Sequence, residues 1–335
     1  MHISVVVPNY NGHRTIAQCL TALLNQSVQH NNYEVIIVDD CSTDESKEYL
    51  QRAEKLYGNL EVIYHDKNYG RCVARNNGIK AARGQLIIFI DNDIIVDSKI
   101  IEVHKRYHEE NDPVHLAVIS NLSYANEYLG NSNFGQYLNS CYIGNRSLSE
   151  RMKLDYCNLP SSYFGGGISS VRHDDLMAVG LFDENIHGYG AEDEQMGYLL
   201  SQAGVRIVFA EDARALHYDF VSINRYKLKI VEIYQGGYRY LLEQNPGYFE
   251  ATLVRYLLPL NLANDSFKLI AIKIVLTVIF NPISVYLLEL FIKYIDKLPW
   301  LYCKPLYKML VAGWGFNAIR SKQAGFRLVK YGNLS

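Results

Sequence analysis

The first 120 residues alternate two hydrophobic patterns. Continuous apolar runs stand at Ile3–Val7, Val35–Val38, Leu60–Tyr64 and Leu86–Ile90. Between them apolar residues return at helical spacing, as at Ile16, Cys19, Leu20, Leu23 and Leu24. Strands that are apolar throughout, separated by helices, predict parallel β-α-β units with both sheet faces covered. Pro8 ends the first run, and Ser42, Thr43 and Asp44 open a helix with Glu45 in its first turn. Further helices are predicted over 71–82 and 98–111, and a strand over His115–Ser120. Ligands of such sheets bind beyond the carboxyl ends of the strands.

Residues 122–160 are rich in Asn, Ser and Tyr without a clear period, and read as a partly ordered insertion. Gly165-Gly166-Gly167 opens a second block, which ends in a helix near 192–204 and short strands near 206–209 and 213–217. Beyond Tyr218 the chain becomes helical, Tyr-rich and basic.

Charge divides the 335 residues unevenly. From Lys268 onward ten Lys and Arg face only Glu289 and Asp296, a balance of +8, so residues 1–267 carry −10. Leu269–Ile295 is the most apolar stretch, but its longest charge-free run is Ile274–Leu288 and Pro282 interrupts it. Fifteen helical residues span roughly 22 Å, short of a hydrocarbon core of ~30 Å. The expectation is an interfacial or re-entrant helical pair on an anionic membrane surface, engaged through 268–330. Trp300, Tyr302, Tyr307, Trp314 and the lysines would then lie at headgroup level. A buried helical hairpin packed on the catalytic domain or on a partner subunit fits the same pattern. The basic residues sit in an apolar tail and not on a polar face, which speaks against nucleic acid as a partner. The six cysteines form no C-x-x-C pair, and Met1–Pro8 lacks a signal-peptide pattern. Reduced thiols and a cytoplasmic location, peripheral to the membrane, are expected.

Chemistry concentrates at strand ends. Asp39 and Asp40 follow a buried run and precede a helix start, where they form either a polar ligand pocket or a solvated turn. Asp91-Asn92-Asp93 directly follows Leu86–Ile90 and is the only D-x-D in the chain. Two carboxylates so placed suit a hard divalent cation bridging a diphosphate. Arg71 and Arg75 lie at the start of a helix, within reach of a phosphate or simply on its surface. Gly188-Tyr189-Gly190-Ala191-Glu192-Asp193-Glu194 combines a flexible loop with acids at a helix start, where a carboxylate can act as a general base. His217 closes a short strand just before Asp219.

Together these motifs resemble the family 2 glycosyltransferases. The likeness runs from Ile3 to His217 through Val5-Val6-Val7-Pro8-Asn9-Tyr10-Asn11, Val38–Asp44, Ala74-Arg75-Asn76-Asn77-Gly78, Phe89–Asp93, Gly165–Gly167 and Gly190–Asp193. Gly165–His217 also looks like the acceptor-side module of galactosyl- and N-acetylgalactosaminyl-type transferases. The resemblance implies a GT-A fold: a Rossmann-like, mixed but mostly parallel sheet flanked by helices, with the C-terminal helices packing on it or on a membrane. It implies a catalytic domain over 1–220, with 1–120 binding the nucleotide sugar and 160–220 supplying acceptor side and base, followed by the 221–335 extension. Pro8, Tyr10, Asn11, Asp40, Arg71, Arg75, Asp91, Asn92 and Gly166 would line the donor site. Asp93, with His217 and Asp91, would hold Mn2+ or Mg2+. Asp193 would be the base, helped by Glu192, in an inverting transfer from a UDP-sugar to a glycan or lipid-linked hydroxyl. Cys41 stands where the family more often has Gly. A sugar nucleotidyltransferase would need a Gly-rich basic loop that Pro8–Gly12 does not provide, and a degenerate scaffold would not need the intact acids.

Overall fold

The computed structural model describes residues 1–220, 222–244, 246–249 and 252–321. Four strands, β1 (Ile3–Asn9), β2 (Tyr33–Asp39), β3 (Leu60–Tyr64) and β4 (Leu86–Ile90), form the parallel half of an eight-stranded sheet. Their continuous apolar runs serve both faces, because successive side chains point to opposite sides. Val5, Val7, Ile88 and Ile90 pack with α1 (Ile16–Leu24) and α2 (Ser46–Glu54) on one face. Val6, Ile87 and Phe89 pack on the other face with Cys72 and Ile79 of α3 (Arg71–Ala81).

The sheet then turns mixed. β5 (Ile94–Val96), α4 (Ile100–Glu110) and β6 (Leu116–Tyr124) follow in sequence. Short helices α5 (Asn126–Leu129), α6 (Asn133–Asn139) and α7 (Leu148–Arg151) occupy the insertion, which is built of short turns of helix instead of one long element. β7 (Ile168–Arg172), α8 (His173–Ala178), α9 (Glu192–Gln202) and β8 (Arg206–His217) complete the block. The strand order is β3-β2-β1-β4-β7-β6-β8-β5, with β7 antiparallel to both β4 and β6. Two short strands were expected where β8 runs as one. Ala210 pairs with Ser120 and Arg214 with the next residue, Asn121, so 211–213 bulge out of a continuous strand.

α10 (Ile223–Gln235), α11 (Gly237–Gln244), α12 (Phe267–Ile279), α13 (Pro282–Ile295) and α14 (Lys304–Arg320) form the C-terminal part. Tyr238 and Leu241 join the sheet's second core, while Ile230, Ile292, Tyr307, Leu310 and Trp314 form a further core with Phe134 and Tyr137 of the insertion. Pro282 opens α13 at N1, its side chain compatible with a first turn, and the chain bends 58° between α12 and α13. No single described helix is long and apolar enough to cross a membrane. The placement of Tyr307 and Trp314 at headgroup level is corrected: both are buried, and Trp314 Nε1 donates to Glu289 at 3.0 Å. Of the basic tail residues, Lys322, Arg327 and Lys330 lie outside the described residues. All six cysteines are free thiols.

Candidate active site

Sheet pairing assembles two adjoining polar clusters around Asp91-Asn92-Asp93. Because Ile90 of β4 pairs with Ile168 of β7, Gly167 lies beside Asp91, and its carbonyl accepts from the Asp91 amide at 2.8 Å. Because Ile94 of β5 pairs with His217 of β8, the imidazole arrives next to Asp93.

In the first cluster Arg75 is the hub. Its Nη2 donates to Asp91 at 2.9 Å, and its Nη1 to Glu192 at 3.3 Å and Asp193 at 3.4 Å. Arg75 is 1% exposed and lies over the Phe182 ring. The expectation that Arg75 reaches a donor phosphate is therefore corrected. Three carboxylates converging at one strand end need a cation among them, and the planar guanidinium meets all three. Arg71 is about one third exposed, donates to Glu192 at 3.4 Å and stacks on Tyr189.

Asp193 is partly exposed in the first turn of α9. Desolvation, then the charge of Glu192, pushes its pKa up to about 7, against the opposing pull of Arg75. The residue before this turn, Ala191, has φ +78, a left-handed conformation that an alanine rarely adopts. Gly190 also lies at positive φ, so the whole turn into Glu192 and Asp193 is held in an uncommon shape. Gly166 lets the neighbouring loop approach this turn. A Cβ there would collide with Asp193 Oδ1 and stand 3.2 Å from the Arg75 guanidinium carbon. Gly166→Ala should cut kcat/KM about a hundredfold by displacing the carboxylate. Steady-state kinetics alongside an unchanged unfolding midpoint would check this.

In the second cluster His217 Nε2 stands 3.4 Å from Asp93 Oδ2. Tyr142 bonds His217 Nδ1 at 2.9 Å, and Tyr124 stacks on the ring. Desolvation alone would raise the Asp93 pKa, but His217 outweighs it and holds the carboxyl down at about 2. Burial likewise disfavours charge on His217, and Asp93 overrides it and raises the imidazole.

Of the three expected metal ligands, Asp93 and His217 are brought together and Asp91 is not. Asp91 is bound by Arg75, and among the described residues no group of three or more His, Cys, Asp and Glu side chains is gathered for a metal. The pair still fits a divalent cation. Tyr142 holds Nδ1 and so fixes Nε2 toward Asp93, the outer support that a ligating imidazole needs. A hard cation that keeps several non-protein ligands requires only one or two from the chain.

At the tips of β1, β2 and β4 Asn9 links the strands, donating to Asp39 at 2.8 Å and accepting from Asn92 at 2.7 Å. Asn11 Oδ1 accepts from the Thr43 amide at 2.7 Å, while Pro8 and Tyr10 are half-buried. Asp40 is buried with both oxygens engaged, by His65 at 2.7 Å and by the Tyr69 and Gly70 amides at 2.8 Å. It shapes the wall through those bonds. Cys41 has φ +64, which explains why Gly suits this position. Sequence reasoning missed Tyr124, Tyr142 and Lys229, whose amine pairs with Asp219 at 2.6 Å. No local pattern in the insertion marks its tyrosines.

Residues 4–178 match the profile of glycosyl transferase family 2, and residues 146–229 that of the N-terminal domain of galactosyltransferase. The chain is 40% identical over 112 residues to the poly(ribitol-phosphate) beta-glucosyltransferase of Bacillus spizizenii, covering 33% of this chain and 18% of that protein. It is 28% identical over 240 residues to the chondroitin synthase of Escherichia coli, covering 64% of this chain and 34% of that protein. The chain thus spans only a minor part of the length of these relatives. The mannosyltransferase PcManGT of Pyrobaculum calidifontis, solved with GDP-Man and Mn2+, has the same fold, with a TM-score of 0.60 at 16% identity. That likeness covers 95% of this chain and 85% of the other. TarS residues 1–349 from S. aureus, solved with UDP, gives 0.52 at 18% identity over 95% of this chain and 90% of that one. With the family profile matched over more than half of the chain, the chain belongs to glycosyl transferase family 2.

Proposed function

We propose that this glycosyltransferase moves a sugar from a nucleoside-diphosphate donor, a UDP-sugar, to a hydroxyl of a glycan or lipid-linked acceptor, with inversion. The carrying observation is the convergence of Arg75, Asp91, Glu192 and Asp193 beside Gly166. Asp193 is the base that takes the acceptor proton. A carboxylate with its pKa near 7 is far more basic than an ordinary one, yet still ionised in good part at neutral pH. Arg75 aims that carboxylate and also holds the buried Glu192 side chain by a hydrogen bond. Asp91 and Asn92, tied to Arg75 and Asn9, form the donor floor together with Pro8, Tyr10 and Asn11. Arg71 stands at the open side, in position to meet a donor phosphate. Residues 1–120 thus serve the donor, and 160–220 the acceptor and the base.

Asp93 and His217 would hold Mn2+ or Mg2+, which would neutralise the charge that develops on the departing diphosphate. The relatives named for polymer glycosylation, one on poly(ribitol phosphate) and one on chondroitin, support a polysaccharide or glycoconjugate acceptor.

The pH profile tests the base. Asp193 works ionised, and its raised pKa means that the active fraction grows as pH climbs toward and past about 7. The limb of kcat/KM on the acid side should rise tenfold per pH unit and level above about pH 7. A limb that levels in the ordinary carboxylate range would remove Asp193 from this role.

A further inference from the structure

The helix pair α12–α13 is inside out. Two of its four charges face the protein: buried Lys273 donates to Asp265 at 2.7 Å, and buried Glu289 accepts from Lys227 at 2.8 Å and from the exposed Lys293 at 2.7 Å. Its large apolar side chains face outward. Ile274, Val278, Ile283, Leu287, Phe291 and Tyr294 are each at least half exposed. Phe267, where α12 begins, and Trp300, beyond the end of α13, are more exposed still. A helix facing water has the opposite arrangement, and an apolar surface this extended marks a contact.

Charge identifies the partner. Among the described residues from 252 to 321 the exposed charges are Arg255, Lys268, Lys293, Lys297 and Lys308, all basic. The acids of this stretch, Asp265, Glu289 and Asp296, are not exposed. A second copy of the chain, meeting this face through a two-fold axis, would set lysines against lysines. An anionic surface with an apolar interior meets both features at once. Neither helix alone is long and apolar enough to cross ~30 Å of hydrocarbon, and the two meet at a bend of 58°.

We propose that α12–α13 docks in the surface of an anionic lipid bilayer, with its apolar side chains below the headgroups and its lysines among the phosphates. The pair is fixed to the catalytic body. Asn133 Nδ2 donates to the Ile295 and Leu298 carbonyls at 3.0 and 2.9 Å, and the Phe134 amide to Asp296 at 2.7 Å. Both residues belong to the insertion that also carries Tyr142 onto His217. Docking therefore sets the orientation of the acceptor side relative to the bilayer. This inference does not depend on which sugar or acceptor is used.

Flotation of the full chain tests it, with vesicles of phosphatidylcholine alone or mixed with phosphatidylglycerol. Binding should favour the mixed vesicles and weaken with salt. Ile283→Ser/Leu287→Ser/Phe291→Ser should lower partitioning about a hundredfold. Lys268→Gln/Lys297→Gln should weaken the preference for phosphatidylglycerol while binding to the mixed vesicles persists, and an unchanged preference would overturn the proposal. All five positions are exposed, so unfolding midpoints should hold, and the lysine variant reads independently of the apolar one. Failure of the wild-type chain to bind mixed vesicles would overturn the proposal, as would unchanged binding by the triple-serine variant. A discrete dimer in sedimentation that the triple-serine substitutions dissolve would assign the face to a second copy and overturn it equally.

Discussion

Asp193→Asn should lower kcat by about a thousandfold while leaving donor KM within a small factor. The substitution keeps size and an acceptor oxygen for Arg75, so the guanidinium retains a partner at the position it now bonds at 3.4 Å. What it removes is the ability to accept a proton. Glu192 cannot replace it, because Glu192 is buried at 2% exposure and bonded by both Arg71 and Arg75. Glu194 is held by the Tyr238 hydroxyl at 2.6 Å. The loss should therefore appear as a slow step at saturating substrate. Full turnover by Asp193→Asn would move the base elsewhere.

Arg75→Met should destabilise the fold by about 3–5 kcal/mol, chiefly the cost of leaving the buried Glu192 carboxylate without this partner. The side chain meets Asp91, Glu192 and Asp193 at once, and Glu192 has nearly no water to turn to. Methionine fills similar volume, so a cavity does not account for the loss. A drop in the urea midpoint with an unchanged slope would measure it. Arg75→Lys should recover part of that drop, since an ammonium restores charge but not the fork that spans separate carboxylates. A wild-type midpoint in the methionine variant would show that Arg71 suffices for the cluster.

The fold was legible because its strands serve two cores. Val5 and Val6 point to opposite faces and both need apolar partners, which produces an unbroken run that periodicity can detect. Asp91 and Asp93 were legible because they follow such a run directly, and His217 because it closes another strand. Roles set by pairing were less legible. Arg75 reads locally as a helix arginine, and only the β4–β7 contact and the turn at Ala191 bring it the carboxylates of Glu192 and Asp193. Tyr142 meets His217 across 75 residues, from a segment with no period to place it. Trp314 and Tyr307 carry the composition of an interface belt, yet they serve a core, because α14 packs them against Glu289 and the insertion's aromatic rings. The uncommon backbone at Cys41 and Ala191 left no sign in residue type, since neither is a glycine.

Release of free nucleoside diphosphate from a panel of sugar nucleotides, with Mn2+ or Mg2+ and again with EDTA, tests the central claim most directly. The account predicts UDP release from one UDP-sugar in the presence of a glycan or lipid-linked acceptor, abolished by the chelator and restored by added cation. Release that persists undiminished in EDTA, or no release from any sugar nucleotide, would contradict it.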